Sequence, residues 1–402
     1  MKKTLVELVE RDSVSELQAY FADMPEGKPL DIHEEQVLLE YFSPLAVKSY
    51  INRFRFSEKA EKMFIEKAPS ELRRQYIHYY GLQKGTERFI IDKNLTEAAM
   101  DYTETRGFED VNYLLKYGSA TIIRGHLREN KLARDSQLVT LLYHENKSLF
   151  PAYIRRGRFI SDVVQTVVVE EHHHEAFRAL TNYYYGQYLK KCRNGHQSYD
   201  DMLKKGVTGV FLSENVQLKV MDSEDKRLIE QMILTTPLAV SVQKLMFERN
   251  YGPGWFKNHA EHLYGVGGYR FAPEYEKKMF KLLANKDLDD CLTKFRQRDD
   301  VSFMQLASVG AVTKYIKDYW LSDDAQVALV ARGNAELIEK LISRYTPEHG
   351  MCWQAEVKLV EICSPETIMK YTSFHSMCSE ALALLEKKSP ETLADYYTKH
   401  AY

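Results

Sequence analysis

Residues 170–175, in the order Glu-Glu-His-His-His-Glu, are the most obvious candidates for metal chemistry in this chain. Adjacent residues of a helix point about 100° apart and cannot converge on one ion, and zinc motifs space their ligands. His173 directly precedes a predicted helix, so we expect His172, His173 and His174 to lie in a solvated turn. His259 and His262 share a helical face but have no third ligand nearby in sequence. We therefore predict no metal ion and no other cofactor, and retain these five histidines as weak metal candidates.

The glycine-containing loop at residues 265–271, Gly-Val-Gly-Gly-Tyr-Arg-Phe, could in principle approach a phosphate. Arg270 stands where a dinucleotide fingerprint needs its third glycine, and the Gly-Lys-Ser/Thr of a P-loop is missing. The sequence also contains neither the His-Glu-x-x-His of a metalloprotease nor the Gly-x-Ser-x-Gly of a nucleophile elbow. We expect a protein without enzymatic activity.

Arginines recur near the predicted ends of helices in the N-terminal half, in two corresponding stretches. They are Arg53 and Arg55 in the first stretch, and Arg155, Arg156 and Arg158 in the second. One interpretation is that they compensate the negative ends of helix dipoles. The other is that they form a basic edge that binds an anionic partner, such as an acidic protein segment, a phosphate or a nucleic acid.

Tyrosine is abundant, with 27 residues in the chain. Tyrosines at one repeated helical position are expected to lie in the core, but neighbours such as Tyr183, Tyr184 and Tyr185 cannot all face inward. Tyrosine is favoured at protein interfaces because it buries a large area and keeps one polar tip. We therefore expect Tyr80 and Tyr184 to line a surface that binds a protein or peptide partner.

The elements that position these side chains follow from a pattern that occurs twice near the C-terminus. Residues 363–371 read CSPETIMKY and residues 388–396 read KSPETLADY. Serine is a favourable N-cap, proline fits the first helical position, and glutamate in the first turn suits the helix dipole. Each stretch is therefore predicted to be a tight turn followed by a capped helix whose tyrosine, seven residues after the serine, faces the core.

The same cap position recurs along the chain at residues 43, 69, 95, 119 and 146, which are 24 to 27 residues apart. A fixed period of this size indicates a solenoid, in which short helices are stable only because they stack on their neighbours. The chain resembles α-solenoids built from two-helix repeats, such as HEAT and armadillo proteins, and most of all the leucine-rich-repeat-variant type. The resemblance implies an all-α, right-handed superhelix of about 12–13 repeats of roughly 24–30 residues, and such arrays share no catalytic residues.

Four segments are predicted from the regularity of this pattern. Residues 1–30 form capping helices and a loop, residues 31–186 an N-terminal array, residues 187–215 an irregular junction or insertion, and residues 216–402 a C-terminal array. Five scattered cysteines without a C-x-x-C motif favour a reducing compartment. No run is apolar enough to span a membrane, so we expect a cytoplasmic protein that does not bind membranes.

The predicted function is therefore a non-enzymatic scaffold that binds a protein or peptide on the extended surface of the solenoid. The alternative is a nucleic-acid- or anion-binding solenoid that uses the basic edge of its N-terminal half. The net charge of −2 argues against a dedicated polyanion binder, although residues 41–200 are mildly basic and the remainder is acidic.

Overall fold

A computed structural model describes most of the 402 residues of the chain. The described ranges are 5–11, 13–41, 43–158, 160–193, 198–205, 210–263, 266–282, 299–345 and 349–400. The predicted junction at residues 187–215 lies partly outside them, because residues 194–197 and 206–209 are not described. The chain divides into two compact units, Met1–Leu180 and Thr181–Tyr402.

The first unit consists of short helices, and the last of these crosses the boundary between the units. They are α1 (Leu5–Glu10), α2 (Val14–Ala22), α3 (Ile32–Tyr41), α4 (Pro44–Ile51), α5 (Glu58–Lys67), α6 (Ser70–Tyr80), α7 (Lys84–Asp92), α8 (Thr96–Thr105), α9 (Val111–Tyr117), α10 (Ala120–Glu129), α11 (Asp135–Leu142), α12 (Leu149–Ile154), α13 (Asp162–Glu170) and α14 (His174–Arg193).

The regular secondary structure in the described part of the second unit is also helical, and it includes one short 3-10 helix at Val266–Gly268. Its α-helices are α15 (Tyr199–Lys204), α16 (Glu214–Asp222), α17 (Lys226–Thr235), α18 (Val240–Glu248), α19 (Pro253–His262), α20 (Pro273–Leu282), α21 (Asp300–Leu306), α22 (Val309–Asp318), α23 (Asp323–Ala331), α24 (Ala335–Arg344), α25 (Trp353–Ile362), α26 (Pro365–Thr372), α27 (Ser379–Lys388) and α28 (Pro390–His400). No strand occurs in the described part of either unit, which confirms the all-α, solenoid-like prediction.

Within each unit, helices pack against the next helix but one in the chain. In the first unit α3 packs on α5, α5 on α7 and α7 on α9, while α4 packs on α6, α6 on α8 and α8 on α10. In the second unit α21, α23, α25 and α27 stack in one row, and α22, α24, α26 and α28 in another. Each repeat therefore contributes a first helix to one row and a second helix to the other, so most of its core lies between neighbours.

The predicted helix starts agree with the structure at most repeat positions. Ser43, Pro69, Leu95 and Ser119 precede α4, α6, α8 and α10, and Ser364 caps α26 by accepting the Thr367 N–H. The start predicted at Asn146 is wrong, because α12 begins only at Leu149. There the Asn146 Oδ1 accepts the backbone N–H of Ser148 at 3.1 Å, which forms a local turn before the helix.

The tyrosines seven residues after the cap positions are confirmed as core residues. Each has at most a few per cent of its surface exposed, and they are Tyr50, Tyr76, Tyr102, Tyr153, Tyr315, Tyr371 and Tyr396. Because every one lies between stacked helices, this position supplies a large apolar ring to successive layers of the core.

Four of these tyrosines donate a hydrogen bond to a buried glutamate that lies fifteen residues earlier in the chain. The pairs are Tyr50–Glu35 at 2.9 Å, Tyr76–Glu61 at 2.8 Å, Tyr102–Glu87, and Tyr371–Glu356 at 2.6 Å. Burial raises the pKa of Glu35 and Glu87 even though these hydrogen bonds act to lower it. A buried polar group is stable only when it is satisfied in this way.

The same glutamates also accept a backbone N–H at the start of the next repeat. Glu61 accepts from Gln83 and Glu356 from Cys378, each at 2.7 Å. Elsewhere a glutamine oxygen takes this role, as Gln217 does for Ala239 at 2.9 Å. We call these buried acceptors the acceptor ladder. Those that accept a backbone N–H of the next repeat within the described residues are Glu35, Glu61, Glu87, Gln217, Gln243, Asp300, Gln326 and Glu356. It links repeats by hydrogen bonds in addition to apolar packing.

Candidate functional site

The arginines at the ends of second helices are largely engaged with the preceding repeat. Arg156 donates from Nη1 to the carbonyl of Arg128 at 3.2 Å, and Arg106 from Nη2 to that of His78 at 2.8 Å. Arg53 likewise donates to the carbonyls of Phe21 and Met24. The carbonyls of Arg128, His78 and Phe21 lie in the last turns of helices, where they have no partner within the helix. The geometry favours compensation of helix ends over partner binding for Arg53, Arg106 and Arg156.

The other arginines of the predicted basic edge make fewer contacts with the described residues. Arg55 is exposed, and its Nε lies 3.7 Å from the buried carboxylate of Glu61. Arg155 is exposed and Arg158 half-buried, and among the described residues neither has a carboxylate within ion-pair distance. Arg155 and Arg158 therefore keep charges that a partner could neutralise.

The tyrosine prediction is wrong for Tyr184, which is fully buried. In α14, Leu180, Tyr184 and Tyr188 lie on one helical face and none is exposed, so Tyr184 belongs to an apolar stripe and cannot reach a partner. Tyr80 is half-buried, and its ring lies 5.2 Å from that of Tyr76. Burial raises the pKa of Tyr80. Its role in partner binding stays a prediction.

The histidine triplet lies at the turn between α13 and α14, as predicted. His172 is exposed and has a positive φ of 52°, while the ring of His173 packs at 5.5 Å against Tyr143. Burial lowers the pKa of His173, which favours its neutral form. That His172, His173 and His174 hold no metal stays a prediction.

His259 is a core residue whose two ring nitrogens are both engaged. Nδ1 lies 2.7 Å from the carbonyl of Ile233 and Nε2 lies 3.0 Å from the hydroxyl of Tyr269. Burial lowers the pKa of His259 to about 4, so the ring is neutral, with Nδ1 donating and Nε2 accepting. His262 is exposed and pairs with the carbonyl of Asn258 at 2.8 Å. The two histidines that share a face in sequence therefore have separate local partners.

The second unit has an apolar groove that the sequence did not reveal. It lies between the C-terminal parts of α24 and α26, has a volume of about 450 Å³, and is lined by Glu339, Ile342, Ser343, Tyr345, Lys370 and Phe374. We call it the Phe374 groove, because Phe374 is the second residue after α26 and is 64% exposed. An exposed phenylalanine beside a concave surface is typical of a binding site.

The rim of the Phe374 groove is organised by specific contacts. Lys370 and Glu339 pair at 2.6 Å across the two helices, which leaves the rim without net charge at this point. On the other side, the ring of Tyr345 lies 5.5 Å from that of Trp320, and the guanidinium of Arg344 lies 4.8 Å above the same tryptophan. Trp320 is itself 53% exposed. The groove thus continues into an aromatic surface.

The side chains of this groove come from segments that look unremarkable in sequence. Ile342 lies at an apolar position of an amphipathic helix, and Phe374 is in a short loop between two predicted repeats. The signal that could have identified the groove is an aromatic residue within two positions of the end of each of two second helices, Tyr345 and Phe374, where turns usually carry polar residues.

None of the described helices is both long and apolar enough to cross a lipid bilayer. Comparisons of the chain with protein-family models, curated proteins and solved structures found no match. The candidate site is therefore defined by the geometry of the chain alone.

Proposed function

We propose that this chain is a non-enzymatic scaffold that binds a protein or peptide partner through the Phe374 groove. The observation that carries the proposal is the exposed Phe374 side chain beside a groove large enough for a bulky side chain. Stacked repeats present such grooves on a rigid support, which lowers the entropic cost of binding. We also propose that the protein is cytoplasmic, because its described cysteines are free, as is typical of a reducing compartment.

The occupant that fits the groove is an extended peptide segment with one large uncharged apolar side chain. The apolar lining of the groove is formed by Ile342, Tyr345 and Phe374. At the rim, Lys370 and Glu339 neutralise each other's charge. A charged anchor would lose its hydration there without gaining an ion pair. Trp320 and Arg344, stacked next to the groove, offer a flat surface for residues that flank the anchor.

Selection of a displayed random peptide library on the full chain tests this proposal. We expect the enriched peptides to share a bulky apolar residue and to lose at least about tenfold in affinity, or about 1.4 kcal/mol, for Phe374→Asp. Ile362→Asp is the matched control, because Ile362 is 41% exposed in the same unit but lies on α25, outside the groove. Peptides that bind both variants equally, or no enrichment at all, would show that the groove is not the site.

The alternative is binding of a nucleic acid or another anion along the basic edge of the first unit. It is favoured by the uncompensated charges of Arg155 and Arg158 described above. A nucleic acid would bind with strong salt dependence.

A further inference from the structure

The ends of α10 and α12 form a second, strongly basic surface in the first unit. Arg156 of one repeat reaches the carbonyl of Arg128 in the other at 3.2 Å, and the Leu132 N–H donates to the hydroxyl of Tyr153 at 3.2 Å. These two contacts hold the segments 128–134 and 153–158 against each other. The two segments therefore bring further cations into neighbouring stretches of the chain, and we call these the basic patch: Arg128, Lys131, Arg134, Arg155 and Arg158.

The charge of the basic patch is mostly uncompensated. Arg128 pairs with Glu129 at 2.9 Å, but none of the other four cations has a carboxylate within ion-pair distance among the described residues. Lys131, Arg134 and Arg155 are exposed. Like charges in neighbouring segments repel one another, and an anionic partner would reduce that repulsion.

We propose that the basic patch binds an acidic, extended segment of a partner protein. Guanidinium groups pair with carboxylates through two parallel hydrogen bonds, so four arginines favour a ligand with several carboxylates. Packed helices lie about 8–10 Å apart, and side chains two residues apart in an extended peptide are separated by about 6.6 Å. Acidic residues at intervals of two or three can therefore contact both repeats.

A protein segment fits these observations better than a nucleic acid. Proteins that bind single strands combine positive charge with aromatic side chains on which bases stack. Within the described residues of the two segments, the one aromatic side chain is Tyr153, which is 3% exposed and already bonded to Leu132.

Fluorescence anisotropy with labelled decaglutamate and the full chain tests the inference at about 0.05 M and 0.15 M ionic strength. We expect Lys131→Glu with Arg155→Glu to weaken binding at least about tenfold. Neither side chain makes a hydrogen bond to the described residues, so these substitutions should leave the fold intact. Lys59→Glu with Lys67→Glu is the matched control: it reverses two exposed charges of the same unit on α5, away from the patch. The control is expected to change the affinity less than about twofold.

Three results would overturn the inference. One is no binding of decaglutamate at the lower ionic strength, and another is an equal loss in the patch and control variants, which would reflect overall charge alone. The third is tighter binding, by at least about tenfold, of an oligothymidylate with the same number of charges, which would assign the patch to nucleic acid. The inference goes beyond the proposed function: none of these residues belongs to the Phe374 groove, so either site can fail without the other.

Discussion

Single buried acceptors determine how well neighbouring repeats are joined, and Glu35 allows this to be tested. Its carboxylate is 1% exposed and accepts from the Tyr50 hydroxyl, the Ser57 N–H and the Ser57 hydroxyl. Glu35→Ala leaves the buried Tyr50 hydroxyl and the half-buried donors of Ser57 without this acceptor, and each unsatisfied buried group costs about 1–3 kcal/mol. We expect it to lower the free energy of unfolding of the first unit by about 3 kcal/mol, measured by urea denaturation.

Glu35→Gln is the control for this prediction, because the chain already uses glutamine in the acceptor ladder. Gln326 accepts the Cys352 N–H at 2.8 Å in the corresponding place. Glutamine keeps an acceptor and avoids burying a charge, so the loss should stay below about 1 kcal/mol. Equal losses for alanine and glutamine would show that the charge, and not the hydrogen-bond acceptor, matters at this position.

The sequence predicts one half of each tyrosine–glutamate pair and conceals the other. The tyrosines could be assigned to the core because their spacing from the cap is regular and their rings are large. Glu61 and Glu87 look like the solvated face of a charged helix, and only the stacking of the next repeat buries them. The constant separation of fifteen residues between Glu35 and Tyr50, and between Glu61 and Tyr76, is visible in sequence, but its meaning depends on tertiary contacts.

At the scale of helices, the arginines that reach back one repeat are expected to stabilise the stack. Arg332 follows α23 and donates to the carbonyls of Met304 and Ala307 at 2.9 and 2.8 Å. Hydrogen bonds from charged donors contribute about 1.5–3 kcal/mol, so Arg332→Ala should lower the free energy of unfolding of the second unit by about 2 kcal/mol. Urea denaturation followed by circular dichroism measures this loss.

Arg155→Ala is the comparison variant, since Arg155 also directly follows a helix but is exposed and makes no such carbonyl contact with the part of the chain that the structure describes. Its effect should stay within about 0.5 kcal/mol. If both variants were equally stable, the contacts of Arg332 with the two carbonyls would contribute nothing to folding, and helix-end compensation would lose its support.

The boundaries of helices could be predicted where a local signal exists and not elsewhere. Ser43, Ser308 and Ser364 are helix starts that can be identified from sequence, because serine is favoured directly before a helix. The side chains of Ser308 and Ser364 accept a backbone N–H of the first turn, whereas that of Ser43 makes no cap hydrogen bond to the described residues. The length of α14, 20 residues, has no such signal. Its continuation through Tyr184 follows from the burial of one face. Three consecutive tyrosines cannot all face inward, but the sequence alone did not show that Tyr184 is the one that does.

At the scale of the whole molecule, a solenoid is stabilised mainly by contacts between neighbouring repeats. A local defect should therefore stay local. Hydrogen exchange measured by mass spectrometry on Glu35→Ala should show reduced protection in α3, α4 and α5, because Glu35 connects α3 to Tyr50 and to the start of α5. The loss should become smaller in α7 and α9, and α21 to α28 of the second unit should exchange as in the unmodified chain.

Glu356→Ala is the reciprocal variant, because Glu356 makes the same two contacts in the second unit, with the Tyr371 hydroxyl at 2.6 Å and the Cys378 N–H at 2.7 Å. It should reduce protection in α25, α26 and α27 and leave α1 to α9 unchanged. The two patterns together distinguish a chain of coupled repeats from one cooperative body, in which either substitution would reduce protection uniformly. A uniform loss of protection in all helices would contradict the prediction, because the stability of each repeat would then depend on more than its contacts with neighbouring repeats.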